Sequence, residues 1–225
     1  MELKTMRGKH LIEYRTISGR AYPLEIGFAS IRSSLVPVNK DATDDACRKG
    51  CNLYGLNGGC PPYSPHFLRI CRENTLILFA RIQTKHYPPK VLNGPYYTRW
   101  VFVETFLTSL TNRIGKDLAS SLDSYFLSSG NCHSCRPKRC AVKDGEKCRK
   151  PDLRTYSLES TGVIVTELMQ DLFDIELQWW RSKNPSYIPE YMLKVIGLVR
   201  RKAFEVSETN MRILSALNGG RITVY

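Results

Sequence analysis

Runs of apolar residues divide the chain into segments that predict β-strands. The first forty residues contain several short runs, which favour a β-rich start. Two longer and nearly continuous runs, at residues 75–82 and 192–199, are typical of buried strands. Shorter runs at residues 124–127 and 175–180 indicate two further strands.

Apolar residues spaced three and four apart predict helices between these runs. Residues 158–172, with an interruption at Gly162, and residues 207–217 are two such segments. The clearest stripe lies in a predicted helix at residues 97–122 and consists of Val103, Leu107, Leu110, Ile114 and Leu118. Alternating strands and helices predict an α/β or α+β sandwich, with a mixed sheet, helices and cysteine-rich loops, in a single compact domain spanning residues 1–225.

The cysteines carry the strongest chemical information in the sequence. They form two groups of four, with no cysteine at residues 72–131. The first group lies in a segment at residues 41–74 and the second in a segment at residues 130–154. Four thiolates are the ligand set of a zinc ion or of a cubane iron–sulfur cluster, so each segment predicts one metal centre. The predicted ligands are Cys47, Cys51, Cys60 and Cys71 in the first group, and Cys132, Cys135, Cys140 and Cys148 in the second.

The expected compartment decides between metal and disulfides. The N-terminal sequence contains no apolar stretch typical of a signal peptide, and no apolar stretch is long enough to span a bilayer. We therefore expect a cytoplasmic protein that does not enter a membrane. Thiols stay reduced in the cytoplasm, which favours metal binding over disulfide bonds. With 42% hydrophobic residues, the chain can form a core without metal.

The second group has the spacing C-x2-C-x4-C-x7-C. Zinc sites usually take their sulfurs from two tight pairs, whereas here Cys148 follows late. A cubane accepts one thiolate at each corner and tolerates such uneven loops. The spacing therefore favours a [4Fe–4S] cluster, with zinc as the alternative. His133 lies between the first two cysteines, where an exposed residue that binds nothing is the simpler interpretation.

The first group has the spacing C-x3-C-x8-C, followed by ten residues before Cys71. Acidic residues at positions 41–45 predict the start of a helix that carries Cys47 and Cys51 on one face. Cys60 follows in a loop that is rich in glycine, asparagine and proline. These three cysteines predict the core of the first metal site.

Cys71 decides what the first centre can do. Ser64 and Pro65 predict the start of a helix that carries this cysteine beside apolar residues. Cys71 is therefore either the fourth ligand or a small core residue. As a ligand it closes the cluster, which suits electron transfer. Otherwise one iron is open to water or substrate, with His66 available nearby for proton transfer.

Both groups contribute to one motif, C-x3-C-x2-YG-x4-CPP followed by G-x-C-x2-C and C-R-x-P. In this motif the chain resembles an uncharacterised prokaryotic family described as cysteine-rich predicted metal-binding proteins. The resemblance runs from Cys47 to Val165 and implies a cytosolic, iron–sulfur type of protein, without implying a reaction. It also implies a set of ligands: Cys47, Cys51, Cys60 and the four cysteines of the second group. Residues 200–225 do not match and are a candidate for an additional partner-binding tail.

Positive charge bears on the choice of partner. The formal net charge is +12, and residues 136–154 contain eight basic and three acidic residues. Cations beside an anionic cluster stabilise it, so part of this charge has an intramolecular use. The rest favours a redox partner protein with an acidic docking face. Nucleic acid is the weaker alternative, because no aromatic RNA-binding motif accompanies the basic residues.

No recognisable catalytic pair and no phosphate-binding glycine loop accompanies the cysteines. The sequence therefore identifies no catalytic residue and no cofactor besides the clusters. The leading hypothesis is a cytosolic protein that binds two [4Fe–4S] clusters and relays electrons in a redox reaction with a partner. One alternative is an enzyme that uses an open iron at a three-cysteine site for sulfur transfer or removal. The other is a zinc-stabilised nucleic-acid-binding protein.

Overall fold

Strands and helices alternate along the described part of the protein, which in this computed structural model comprises residues 6–15, 19–180, 184, 186–217 and 222–224. The strands are β1 (Met6–Arg15), β2 (Ala21–Arg32), β3 (Asn74–Gln83), β4 (Tyr125–Ser128), β5 (Tyr156–Ser157), β6 (Tyr191–Arg200) and β7 (Ile222–Val224). The helices are α1 (Lys40–Gly50), α2 (Phe67–Ile70), α3 (Pro89–Leu92), α4 (Tyr96–Ser121), α5 (Val165–Phe173) and α6 (Val206–Leu217). The predicted strands at residues 75–82 and 192–199 correspond to β3 and β6.

All of these strands belong to one sheet, in the order β5-β4-β6-β3-β2-β1-β7. Neighbouring strands run antiparallel except β4 and β5, which are parallel, so the sheet is mixed. The central pair, β3 and β6, is in register along its whole length, from Asn74 opposite Arg200 to Gln83 opposite Tyr191. The predicted α/β or α+β fold with a mixed sheet is confirmed.

Two apolar layers, one on each face of the sheet, form the core. Alternate residues of β3 point to opposite faces, so that Leu76 and Leu78 join one layer and Ile77 and Phe79 the other. Helices α4 and α6 cover the first layer, and α5 and Phe67 cover the second. Each fully buried side chain of this size contributes about 1.5–3 kcal/mol. The sheet and its helices therefore provide the main stabilising core.

Helix α4 confirms the predicted helix at residues 97–122. All five residues of the predicted stripe are buried against the sheet. At Gly115 the helix lies so close to the sheet that a Cβ would be 2.2 Å from the Phe126 ring. None of the helices in the described ranges combines the length and the apolar character that crossing a membrane requires.

Two element predictions are wrong. Residues 175–180 form no strand; Trp180 is buried in the core instead, with its ring centroid 6.1 Å from that of Tyr87. The helix predicted from Ser64 begins only at Phe67 and ends at Ile70. The helical segment predicted at residues 158–172, with an interruption at Gly162, corresponds to a 3₁₀ turn at Glu159–Thr161 and then to α5, with Gly162 between them at a φ of +101°.

The candidate tail at residues 200–225 contributes to the fold. Helix α6 buries Ile213 and Leu217 in the layer that it shares with α4, and β7 pairs with β1. Val206 and Met211 are exposed on α6. Residues 218–221 and 225 of this segment lie outside the described residues. A partner-binding role for the segment stays a prediction.

Candidate metal centre

Helix α1 presents the first two cysteines. Asn39 caps its N-terminus, because the Asn39 Oδ1 accepts a hydrogen bond from the Ala42 N–H at 3.0 Å. Cys47 lies near the end of the helix. Cys51 is the C-terminal cap, with extended backbone, and its N–H donates to the Cys47 carbonyl at 2.9 Å. The predicted helix is confirmed and carries Cys47, whereas Cys51 lies one residue beyond it as the cap.

A loop of consecutive turns positions Cys60. The Gly55 N–H donates to the Pro61 carbonyl at 2.9 Å, and the Tyr63 N–H donates to the Cys60 carbonyl at 2.9 Å. Gly55 adopts a φ of +71°, which favours glycine. Cys60 is only 8% exposed. The loop thus folds back on itself and encloses the third cysteine of the group.

Cys51 lies close enough to Cys47 and Cys60 to affect the pKa of both. Burial, together with the neighbouring thiols of Cys51 and Cys47, raises the pKa of Cys60 to about 12. Burial and the Cys51 thiol likewise raise the pKa of Cys47 to about 11. Thiolates crowded into a desolvated site need a counterion, which a bound metal supplies. This donor set therefore fits a metal centre.

A carboxylate, Glu159, lies beside this site. After burial and the neighbouring thiols, Glu159 is a further cause of the raised pKa values of Cys47 and Cys60. The Glu159 side chain is itself half-buried, and burial raises its pKa. The sequence pattern does not identify Glu159 as part of the site, because this residue lies in neither cysteine segment.

The 3₁₀ turn Glu159–Thr161 is fastened between α1 and the Cys60 loop. The Ser160 hydroxyl donates to the Gly59 carbonyl at 3.0 Å. On the other side, the Asn39 N–H donates to the Gly162 carbonyl at 2.7 Å. The turn thus links the elements that carry Cys47 and Cys60, which explains why its carboxylate lies near both thiols.

Cys71 has different surroundings from the other three cysteines of the first group. It caps the C-terminus of α2 and packs against the apolar layer under α5. Its Sγ lies 3.7 Å from the Leu68 carbonyl, to which it donates. The thiols that raise the pKa of Cys60, in addition to burial, are those of Cys51, Cys47 and Cys132. The structure brings Cys47, Cys51 and Cys60 together, whereas ligation by Cys71 stays a prediction.

The second group converges on one narrow cavity, which all four of its cysteines line. Burial alone raises the pKa of Cys132, but hydrogen bonds with Thr155 and Ser134 outweigh this effect and lower the pKa. The Gly58 N–H donates to the Cys140 Sγ at 3.2 Å. Hydrogen bonds of this kind stabilise a thiolate, the form that binds metal. The second group therefore also fits a metal centre.

The two groups are in direct contact. The Asn57 Nδ2 donates to the Cys132 carbonyl at 2.8 Å, while the Asn57 Oδ1 accepts from the Gly59 N–H at 2.9 Å. At Gly59 the segments approach so closely that a Cβ would lie 2.3 Å from the Thr155 carbonyl oxygen and 2.8 Å from the Cys132 Cβ. Cys132 also contributes, after burial and the other thiols, to the raised pKa of Cys60. Two groups that are distant in sequence therefore form one assembly.

Arg154 fastens the second segment to the Cys60 loop. Its Nε donates to the Gly58 carbonyl at 2.9 Å, and its terminal nitrogen donates to the Gly58 carbonyl and to the Tyr63 carbonyl, the latter at 2.9 Å. The guanidinium also packs 4.9 Å above the Tyr156 ring. These carbonyls lie in irregular backbone, so a side chain supplies the donors that a helix or sheet would otherwise provide.

The two histidines of the cysteine segments have local partners. His133 is exposed, and its Nε2 lies 2.9 Å from the Asn131 Oδ1. His66 is the N-cap of α2, where its Nδ1 accepts the Leu68 N–H at 3.1 Å. Neither contact involves a cysteine, so sulfur dominates the donor set of both sites.

Sulfur-rich donor sets of this kind suit iron–sulfur clusters and zinc. The described residues that line the second cavity include four cysteines and no carboxylate, and the first site combines three cysteines with Glu159 nearby. Within the described ranges, no three His, Cys, Asp or Glu side chains meet closely enough to hold a single ion.

Comparison with known proteins supports metal binding. A family model described as Predicted metal-binding protein (DUF2284) matches residues 29–199. This range includes both cysteine groups, Glu159 and Arg154, and it extends beyond the motif between Cys47 and Val165. No curated protein and no solved structure matches the chain significantly.

Gly59→Ala tests whether the close approach of the two segments holds the site together. The new Cβ would collide with the Thr155 backbone and with Cys132, and overpacking of this kind costs about 1–3 kcal/mol. We expect a loss of bound metal and a melting temperature lower by roughly 2–4 °C per kcal/mol. Metal analysis and calorimetry measure the two effects.

Gly50→Ala is the matched control, because a Cβ at Gly50 would have no neighbour within 4 Å. It should leave metal content unchanged. If Gly59→Ala also retained its full metal content and stability, the contact between the two segments would not hold the centre together.

Proposed function

The chain belongs to this family of predicted metal-binding proteins, and on that premise we propose that it is a cytoplasmic iron–sulfur protein that binds two [4Fe–4S] clusters and relays electrons to or from a partner protein. The contact between the two cysteine groups carries the proposal. Gly59 packs against Cys132, and Cys132 affects the ionisation of Cys60. Clusters held by these groups are neighbours, as electron transfer between them requires.

The ligands divide between the two sites as the spacing predicts. The second cluster takes all four cysteines of the second group, which line one cavity and whose uneven spacing suits a cubane. The first cluster takes Cys47, Cys51 and Cys60, with Cys71 as the fourth ligand. A bound cluster supplies reversible one-electron transfer, while the chain fixes its position, shields it and tunes its potential.

The surroundings of the two groups favour different reduction potentials. Hydrogen bonds reach the sulfurs of Cys132 and Cys140. Four cations line a cleft beside the second group. The first site is crowded by thiols and by the Glu159 carboxylate. Hydrogen bonds and positive charge raise a cluster's potential, whereas negative charge lowers it. In this proposal, electrons pass from the first cluster to the second.

The partner in this proposal is a redox protein with an acidic docking face. Basic residues cluster around the second group, and Arg136, Lys138 and Arg139 are exposed there. A positive surface around the cluster with the higher potential steers an acidic partner to the point where electrons leave. Such association weakens steeply as salt screens the charges.

The environment of Cys71 favours a second candidate function, an enzyme with an open iron at the first site. Cys71 packs against the apolar core, whereas the thiols of Cys51 and Cys47 raise the pKa of Cys60 in addition to burial. An iron cluster held by three thiolates keeps one iron free to bind water or a sulfur-containing substrate as a Lewis acid. The reaction class in that case is sulfur transfer or removal.

Metal analysis tests the proposal at its base. Protein purified without oxygen should be brown and contain about eight iron atoms per chain, because each cubane holds four. Iron and zinc assays, together with electron paramagnetic resonance after reduction, measure this. A colourless protein with two zinc ions would contradict the iron–sulfur proposal and favour the structural role in nucleic-acid binding.

Cys71→Ala separates the closed cluster from the open one while keeping a small apolar residue in the core. If the protein is an electron relay with Cys71 as the fourth ligand, the variant should lose up to half of its iron, because the first cluster lacks one of its four ligands. Cys132→Ala is the control, since it removes a ligand from the second cluster in either function. If the Cys71→Ala variant retains about eight iron atoms, Cys71 is not a ligand, and the enzyme with an open iron is favoured over the electron relay.

Glu159→Gln tests the difference in potential between the clusters. Removal of this negative charge should raise the lower of two reduction steps and leave the upper step unchanged, because Glu159 lies beside the first site. An anaerobic redox titration followed by electron paramagnetic resonance measures both steps. Glu167→Gln, at an exposed position of α5, should move neither. If the variant shifted only the upper reduction step, the first cluster would be the one with the higher potential, contrary to the proposal.

A further inference from the structure

A basic cleft opens beside the second cysteine group. Its volume is about 360 Å³, which lies within the range of small-molecule sites. Cys132, Cys135 and Cys140 line it, but Cys148 does not. The narrow cavity lined by all four cysteines is a separate space. The cleft and the narrow cavity share Cys132, Cys135 and Cys140, so the cleft adjoins the second metal site.

Cations dominate the lining of this cleft. They are Arg136, Lys138, Arg139 and Lys143. Asn57 and Asn131 add amide groups, and in the part of the chain that the structure describes no carboxylate lines the cleft. Among the described residues, the first three cations form no ion pair with a carboxylate, and Lys143 lies 3.8 Å from Asp144. Most of the positive charge of the cleft is thus unpaired within the described part of the protein.

The metal centre neutralises only part of this charge. Four thiolates around a cubane core of charge about +2, or around one zinc ion, give a centre of about −2. The four lining cations exceed that value by about two charges, whichever metal is bound. A concave surface with surplus cations and two guanidinium groups favours a ligand with several anionic oxygens, because guanidinium pairs with phosphate and carboxylate through two parallel hydrogen bonds.

We propose that this cleft binds a small polyanion, one that carries phosphate or carboxylate groups, directly beside the second metal centre. The proposal goes beyond the electron relay, since it gives the centre a small-molecule ligand in addition to a protein partner. A polynucleotide fits less well, because none of the described residues that line the cleft has an aromatic side chain on which a base could stack.

Isothermal titration of the oxygen-free, metal-loaded protein tests this, with inorganic pyrophosphate in one arm and citrate in the other. We expect saturable one-to-one binding that persists at 150 mM salt. Tighter binding of pyrophosphate identifies phosphate as the preferred group, and tighter binding of citrate identifies carboxylate. Arg136→Gln combined with Arg139→Gln should weaken binding roughly a hundredfold, because each change removes a charge-assisted hydrogen-bonding group.

Lys147→Gln combined with Lys150→Gln is the matched control. It removes the same charge from the same segment at exposed positions that do not line the cleft, and should weaken binding less than about threefold. Equal weakening in both double variants, or no saturable binding of either anion, would overturn the proposal. So would binding of single-stranded RNA without binding of either small anion.

Metal content separates this test from that of the relay. The Arg136→Gln and Arg139→Gln variant should keep its iron or zinc, since neither residue is a ligand. Weak anion binding by this variant at full metal content supports anion binding in the cleft. Pyrophosphate binding by an unaltered protein loaded with zinc supports it too. Loss of metal together with unchanged anion affinity would contradict it. The iron content of the unaltered protein bears on the relay alone.

Discussion

The contact between the Cys60 loop and the second cysteine segment is the constraint on which the site depends. The loop has no regular structure, and the turns within it satisfy only some of its carbonyls. Arg154 donates to the Gly58 and Tyr63 carbonyls, and Asn57 bridges to Cys132. Buried or half-buried carbonyls without donors are costly. The hydrogen bonds that satisfy this backbone are therefore the same bonds that bring the two cysteine groups together.

This contact gives the two groups opposite electrostatic surroundings. On the side of α1, burial, neighbouring thiols and Glu159 all disfavour further negative charge. On the other side, hydrogen bonds with Thr155 and Ser134 outweigh burial and favour the Cys132 thiolate, and a row of cations follows. Negative charge is thus disfavoured at one end of the assembly, and cations line the other end. In the proposed electron relay, this difference favours electron transfer from the first cluster to the second.

Local patterns in the sequence predicted the sheet and the long helix, but not the links between the cysteine segments. The continuous apolar run of β3 and the stripe of α4 each lie within one element, so periodicity is sufficient. Ser64 has the local features of a helix cap, yet it bonds to the Ser160 carbonyl, 96 residues away. Glu159 and Arg154 are likewise ordinary polar residues in sequence. Only the folded chain brings them close to Cys60. The cysteine spacing, in contrast, is local, so the sequence alone predicts the two cysteine groups.

The separation of core and site determines what metal contributes to stability. The apolar layers that flank the sheet are formed by strands and by α4, α5 and α6, with side chains such as Leu107 and Ile77 fully buried. Small zinc modules lack such a core and unfold without metal. Here the metal-binding loops sit on a fold that has its own core. Protein contacts at Gly59 and Arg154 hold the two loops together, and the sheet keeps the two segments within reach of each other, so bound metal adds to an arrangement that the fold already provides.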